Sequence, residues 1–353
     1  MSIPVRTTPP DARTTYIIDQ LEGERITIPG SKGAFRILAS SKQTDGGIAV
    51  FQSGAVLSDA PGFHWHAEAH DVFLVTKGHL KLWNGDKCRI MGPGDFAYVP
   101  PKIIHNPELL GPHTETFGLV APGDWVDFFR YVGETYEGVI LPENDNRDLK
   151  SILIPKVMAA SGRFDVNFVR DYQPPEVGDW LETENTLPSS VEPYFLRANT
   201  GPRWILGGVL SRPFITAAQC EGKFAISSIE SSSLLKESPL NRRWLTFPKV
   251  THCLCILEGL LLVKSKDIGE EEWTPIREGQ TVVLAPDQPF ALDFNSRYVR
   301  LLSFTNGRGI EELIHTAGTP FPQFVLPEKS HPFEEVAIRA ASDKLGVQFG
   351  DSV

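Results

Sequence analysis

The 353-residue sequence predicts an all-β protein made of two similar barrels in tandem, with a few short helices. Three observations carry this expectation. Thirty glycines and 28 prolines punctuate short stretches rich in Val, Ile, Thr and Phe, which favours short strands joined by tight turns. The stretches follow one another at close spacing, the pattern of a sandwich or barrel. The pattern also recurs along the chain. Gly33-Ala-Phe-Arg-Ile-Leu38 has a counterpart in Gly201-Pro-Arg-Trp-Ile-Leu206. Asp71-Val-Phe-Leu-Val-Thr-Lys-Gly78 matches His252-Cys-Leu-Cys-Ile-Leu-Glu-Gly259, and Gly94-Asp-Phe-Ala-Tyr-Val-Pro-Pro101 matches Gly279-Gln-Thr-Val-Val-Leu-Ala-Pro286. The length suits two domains of about 150 residues better than one core.

In chain order, the first 30 residues are polar and Pro-rich and read as a surface arm. Strands are expected at residues 34–38, 48–57, 71–76, 79–83, 87–91, 95–99 and 116–120. Asn84-Gly85 carries the signal of a hairpin turn. At residues 124–134 the period changes: Trp125, Phe128, Phe129 and Val132 recur at helical spacing. Residues 149–160 also read as helical, and residues 309–315 form a short amphipathic segment after the second copy. The domain expectation is a first barrel over 1–145, a polar, Pro-containing linker over 146–200 and a second barrel over 201–353.

The net charge of −10 argues against a nucleic-acid or anionic-membrane partner, since both require a basic surface. No apolar run reaches the roughly 18 residues of a membrane span, and the N-terminus lacks the apolar core of a signal peptide. Cys88, Cys220, Cys253 and Cys255 fall in strand-like apolar stretches and form no disulfide framework. A cytoplasmic protein is expected. Cys253 and Cys255, alternate positions on an apolar strand, read as structural rather than metal-binding.

Six of the nine histidines lie between residues 64 and 113. In His64-Trp65-His66 the two imidazoles sit at i and i+2, which on a strand face the same side. Alternation through Asp71-Val-Phe-Leu-Val places Asp71, Phe73 and Val75 on one inward face, and His105 follows a Gly-Asp…Pro-Pro turn. Three histidines and a carboxylate converging from separate strands make a metal site with positions left for exogenous ligands. His70 is an alternative to Asp71 as the fourth ligand, and Glu68 falls in a solvated turn. Phe73 and Trp83 are expected either to line a substrate cavity or to fill the barrel core. His79, His113, His315 and His331 are expected at solvated surface positions.

These segments resemble the two cupin motifs. The first motif reads His64-x-His66, four residues, Asp71, six residues, Gly78. The second reads Gly94, five residues, Pro100-Pro101-Lys102, two residues, His105, with Lys102 where the family often has glycine. Nearly the whole chain is similar to the fungal quercetin 2,3-dioxygenases. The resemblance implies a bicupin of two jelly-roll (double-stranded β-helix) barrels and one divalent transition metal. Iron(II) or copper(II) is expected, with manganese, nickel and zinc also accepted by such a ligand set. It also implies a small enolisable or phenolic aromatic substrate, dioxygen as co-substrate, and a homodimer as one open state of assembly. In quercetinases the position of Asp71 holds a glutamate that binds metal and acts as base, so Asp71 is the expected catalytic acid/base.

The second barrel is an internal control. Aligning Gly259 with Gly78 puts Leu245, Phe247 and His252 at the positions of His64, His66 and Asp71. Aligning Pro286 with Pro101 puts Phe290 at His105. Three of four donors become large apolar residues, which predicts a packed core without metal. The resulting reading is a quercetinase-type dioxygenase. Two alternatives stay open: a non-oxidative metal-dependent isomerase, cyclase or hydrolase on a similar substrate, and a non-catalytic, pirin-like binding bicupin.

Overall fold

The computed structural model describes residues 1–56, 61–160 and 162–353. The chain divides into two compact units. One comprises Leu21–Ser41 and Gly46–Thr200; the other comprises Gly201–Val353 with Met1–Gln20 and Lys42–Asp45. Both are built mainly from antiparallel strands, with Val5–Arg6 parallel to Tyr16–Ile18 in the second.

In the first unit, Ala49–Ala55 lies between Gly33–Ala39 and His105–Ala121, and His70–Asn84 lies between His105–Ala121 and Phe96–Val99. The expected strand at 48–57 covers Ala49–Ala55; Leu57 lies outside the described residues. The register sets the interior in rows. Val120 pairs with Asp71, Gly118 with Phe73 and Phe51, and Thr116 with Val75 and Ser53.

The two strands expected at 71–76 and 79–83 are one 15-residue strand, His70–Asn84. Gly78 takes φ +69°, and a Cβ there would lie 2.3 Å from the His113 carbonyl oxygen. Opposite it the pairing jumps from His79↔Leu110 to Lys77↔Glu115, so the glycine makes a bulge instead of a turn. The bulge shifts the alternation by one residue. Before it Phe73 and Val75 reach the core; after it Leu80 and Leu82 do.

The helical signal at 124–134 resolves into a 3-10 turn, Gly123–Val126, and an α-helix, Asp127–Val132. Trp125, Phe128 and Val132 enter the core, with Phe129 stacked on Phe35 at 4.1 Å between centroids. The 146–200 stretch differs from the linker expectation because it belongs to this unit. It holds the helix Leu149–Ala159, the short strand Asn167–Phe168 paired with His64–Trp65, and Tyr194–Leu196 paired with Phe96–Val99. Its composition is polar, but Leu153 and Phe195 are buried and anchor it. Residues 1–20 also depart from the expected boundary: Tyr16–Ile18 pairs with Thr281–Leu284 in the other unit.

The second unit contains a nine-stranded and a five-stranded sheet around one apolar core. Its pairings repeat those of the first unit. His252 pairs with Leu284 as Asp71 pairs with Val99, and Leu245 pairs with Phe290 as His64 pairs with His105. Gly259 repeats the positive φ of Gly78, at +82°. No helix among the described residues is long and apolar enough to cross a membrane.

The departure at Lys102 has a backbone consequence. Lys102 takes φ +68°, as Asp287 takes +62° at the matching position of the second unit. Its amide donates to the His66 carbonyl at 2.6 Å, closing the turn beneath the histidines. The left-handed region costs a side chain about 1–2 kcal/mol, most severely a β-branched one. Lys102→Val should therefore lower unfolding stability by about 1–2 kcal/mol in urea titration, while Lys102→Gly should hold or raise it. Equal loss in both would show that the backbone does not need this conformation.

Candidate metal centre

His64 belongs to the two-residue strand His64–Trp65, pinned between Asn167–Phe168 and His105. His66 follows it, Asp71 lies on the His70–Asn84 strand, and His105 begins the His105–Ala121 strand. Four elements thus bring His64, His66, Asp71 and His105 together. One ligand atom from each lies within 4.8 Å of all the others, and all four residues are buried. Asp71 Oδ2 sits 3.2 Å from His66 Nε2 and 3.1 Å from His105 Nε2.

The outer nitrogens decide what the cluster can hold. His64 Nδ1 donates to the Gly62 carbonyl at 2.8 Å, His105 Nδ1 to the Ile103 carbonyl at 3.0 Å, and His66 Nδ1 to the Asp165 carbonyl. A carbonyl only accepts, so each Nδ1 carries the ring proton and each neutral Nε2 turns a lone pair inward. Three lone pairs and a carboxylate then face one point with no donor among them. That arrangement fits a divalent cation, and the outer carbonyls are the contacts that orient metal-binding imidazoles.

The carboxylate and the imidazoles also act on one another's charge. Burial, with the neighbouring His105 and His66, holds His64 well below the usual histidine range. Burial opposes charge on His66 too, but the Asp71 carboxylate outweighs it and pushes His66 up. Asp71 is buried as well, yet His66 and His105 hold it below the usual carboxylate range.

Asp165 was invisible in the sequence, inside the stretch read as linker. Its carboxylate accepts from the amides of Ala67, Glu68 and Ala69, and its carbonyl takes both His66 Nδ1 and Trp125 Nε1. It therefore fixes the turn between His66 and Asp71 and the His66 ring together. No local motif marks such a residue, because its partners lie 40 to 99 positions away.

Two expectations need correction. His70 does not join the cluster: adjacent strand residues face opposite sides, and its Nδ1 meets the Tyr98 hydroxyl at 2.7 Å. Trp83 does not line the cavity described below. The Gly78 bulge turns it away, onto Phe63 and the Pro175 carbonyl. Phe73 does line the cavity. His79 is exposed, whereas His315 is not a solvated residue: it packs on Trp204 and meets Ser211 Oγ at 3.1 Å.

A cavity opens beside the cluster, lined by Asp71, His64 and Phe73 and by aromatic side chains that include Phe35, Phe51 and Trp125. It offers about 160 Å³ to the centre of a water molecule, on the order of ten times what one water needs. Among the described residues, no lysine or arginine lines it.

In the second unit, Leu245, Phe247 and Phe290 are buried at the matching positions, with Phe247 and Phe290 at 4.6 and 5.2 Å from His252. His252 Nε2 accepts from the Ile310 amide at 3.1 Å, leaving it no lone pair for a metal. Cys253 and Cys255 are buried free thiols.

The fold is that of the cupins. Residues 50–115, which contain all four clustered residues, match the family model described as Cupin domain. The chain is a bicupin, and its similarity runs to quercetin 2,3-dioxygenases. It is 32% identical over 133 residues to the quercetin 2,3-dioxygenase of Bacillus subtilis strain 168, a match spanning 38% of this chain and 39% of that protein. It is 23% identical over 341 residues to that of Aspergillus japonicus, spanning 90% of this chain and 92% of that one. Among solved structures, a variant of Bacillus subtilis oxalate decarboxylase superposes with a TM-score of 0.51 at 12% identity, covering 86% of this chain and 79% of that one.

The assignment of the cluster is tested by metal content. Purified His66→Ala should lose its bound transition metal, His252→Ala should keep it, and Asp165→Ala should bind it roughly 10- to 100-fold more weakly. Elemental analysis with competitive chelation reads all three. Equal metal loss from the His66 and His252 variants would refute a single site in the first unit.

His252 also makes a pH prediction. Burial lowers it to about 3, while the unfolded chain titrates near 6.5. Below 6.5 the unfolded state gains a proton that the folded state refuses, so this contribution to stability is present above 6.5 and lost as pH falls towards 3. Burial raises Glu311 to about 7, which acts in the opposite sense between its unfolded value of 4.5 and 7. His252→Asn should flatten the acid-side loss of the urea midpoint, and Glu311→Gln should steepen it. Parallel curves for wild type and both variants would contradict this balance.

Proposed function

We propose that this chain is a metal-dependent cupin enzyme that cleaves an enolisable aromatic ring, a flavonol or a polyketide-like aromatic, with dioxygen. The observation that carries the reading is the double position of Asp71. Its carboxylate belongs to the histidine cluster and also to the wall of the aromatic cavity.

A flat, neutral substrate gains from this wall by stacking and by burial. A wall without lysine or arginine among the described residues disfavours carboxylate substrates, which need a paired charge when buried. An enol or phenol entering the cluster end meets Asp71 as the carboxylate placed to accept its proton. Iron(II) or copper(II) held by His64, His66 and His105, with Asp71 beside them or as fourth ligand, would stabilise the resulting anion and couple it to dioxygen. The apolar wall excludes water from that anion. The free, buried cysteines accord with a cytoplasmic setting.

Metal-loaded enzyme should consume dioxygen in step with loss of a flavonol or aromatic polyketide. Asp71→Asn should reduce turnover by about 10²-fold or more. Turnover that continues without oxygen would replace this reading with the non-oxidative one, and full activity in the Asp71 variant would remove Asp71 as base.

A further inference from the structure

Among the described residues, the polar side chains lining the cavity are Ser31, Ser53, His64, Asp71, Thr116 and the indole N–H of Trp125. Most are already committed. His64 and Asp71 belong to the metal cluster, Trp125 donates to the Asp165 carbonyl, and Ser31 bonds within its own turn to Gly33. Ser53 and Thr116 remain. They are directly opposed on neighbouring strands, with their hydroxyl oxygens 2.7 Å apart. One hydroxyl donates to the other, so the acceptor's own hydrogen and the remaining lone pairs are left for the cavity. In an apolar wall, such a spot is a recognition point, because a ligand that leaves it unpaired is penalised.

Its place along the barrel gives it meaning. Asp71 pairs with Val120, and Val75 with Thr116, so the hydroxyl pair lies four residues along the strands from Asp71, roughly 13 Å. The row between them is Phe73, Gly118 and Phe51. A Cβ on Gly118 would lie 2.4 Å from the Phe51 ring, so that ring occupies the space over the glycine. Subtracting a hydrogen bond at each end leaves roughly 8 Å. That is the span between oxygens at opposite ends of a planar skeleton of two or three rings.

We propose that the Ser53–Thr116 hydroxyl pair is the second recognition point of the cavity, hydrogen-bonding a hydroxyl or carbonyl oxygen on the outer ring of a planar substrate whose enol end lies at Asp71. The proposal rests on the reading given under Proposed function. It makes the pair a determinant of specificity: oxygenated outer rings are selected, bare ones are not.

The experiment compares two ligands under argon, where no oxygen is available for turnover. Bare flavonol has no outer-ring hydroxyls; kaempferol has them on both outer rings. Dissociation constants are measured by fluorescence quenching on the purified, metal-containing full chain. Wild type should prefer kaempferol, and the Ser53→Ala/Thr116→Val double variant should lose roughly three- to tenfold of that preference. Thr116→Ser, which keeps a hydroxyl, should retain it, which separates lost recognition from a disturbed fold. A preference unchanged in the double variant overturns the proposal while leaving the flavonol reading standing. Failure of wild type to bind either ligand overturns both.

Discussion

Three imidazole lone pairs and one carboxylate pointing at the same place inside a barrel form the constraint on which the rest of the first unit depends. Unsatisfied, each buried polar group costs on the order of 1–3 kcal/mol, and a buried charge more. The chain commits much local structure to this convergence. Three backbone carbonyls fix the ring tautomers. Asp165 holds the turn that separates His66 from Asp71, and the amide of Lys102 in its left-handed turn ties down the His66 carbonyl. Such a network is stable when complete and costly when any member is missing.

The same convergence defines the chemistry available. Asp71 lies on a paired strand, so its carboxylate meets the histidines and the cavity with little freedom to move. Beyond it the interior is arranged in rows set by strand register, and the Ser53–Thr116 row presents two hydroxyls to the cavity. A carboxylate at one end and a hydroxyl pair at the other, separated by aromatic rings, stand at a distance fixed by strand register. Loops could not hold that spacing as closely as paired strands do.

Much of this was legible in the sequence, for reasons that can be named. The His64-x-His66 spacing, the alternation through Asp71 and Phe73, and the repeat of glycines at 78 and 259 are local consequences of strand geometry, and local geometry writes itself into spacing. What could not be read depended on distant partners or on a break in phase. Trp83 was misplaced because the bulge at Gly78 inverts the alternation downstream of it. Asp165 and Leu153 were missed because a polar stretch reads as linker until its few buried anchors are seen. The arm at Tyr16–Ile18 gives no sign of its partner strand, Thr281–Leu284.

The second unit shows what the scaffold does when the constraint is removed. Its strands keep the same partners, so the four-residue cluster is not needed to specify the fold. Leu245, Phe247 and Phe290 fill the space that three imidazoles occupy in the first unit, and Phe247 stacks on Phe290 at 5.9 Å. Of the four matching positions, His252 alone keeps a polar side chain, and an amide caps it. Intermediate compositions would be worse than either end. One histidine returned among these rings would bury an unpaired imidazole, and a single ligand lost from the first unit would leave the others facing a carboxylate without a full set. A barrel of this type is therefore stable as a complete donor set or as an apolar core, and the two halves of this chain occupy those two states.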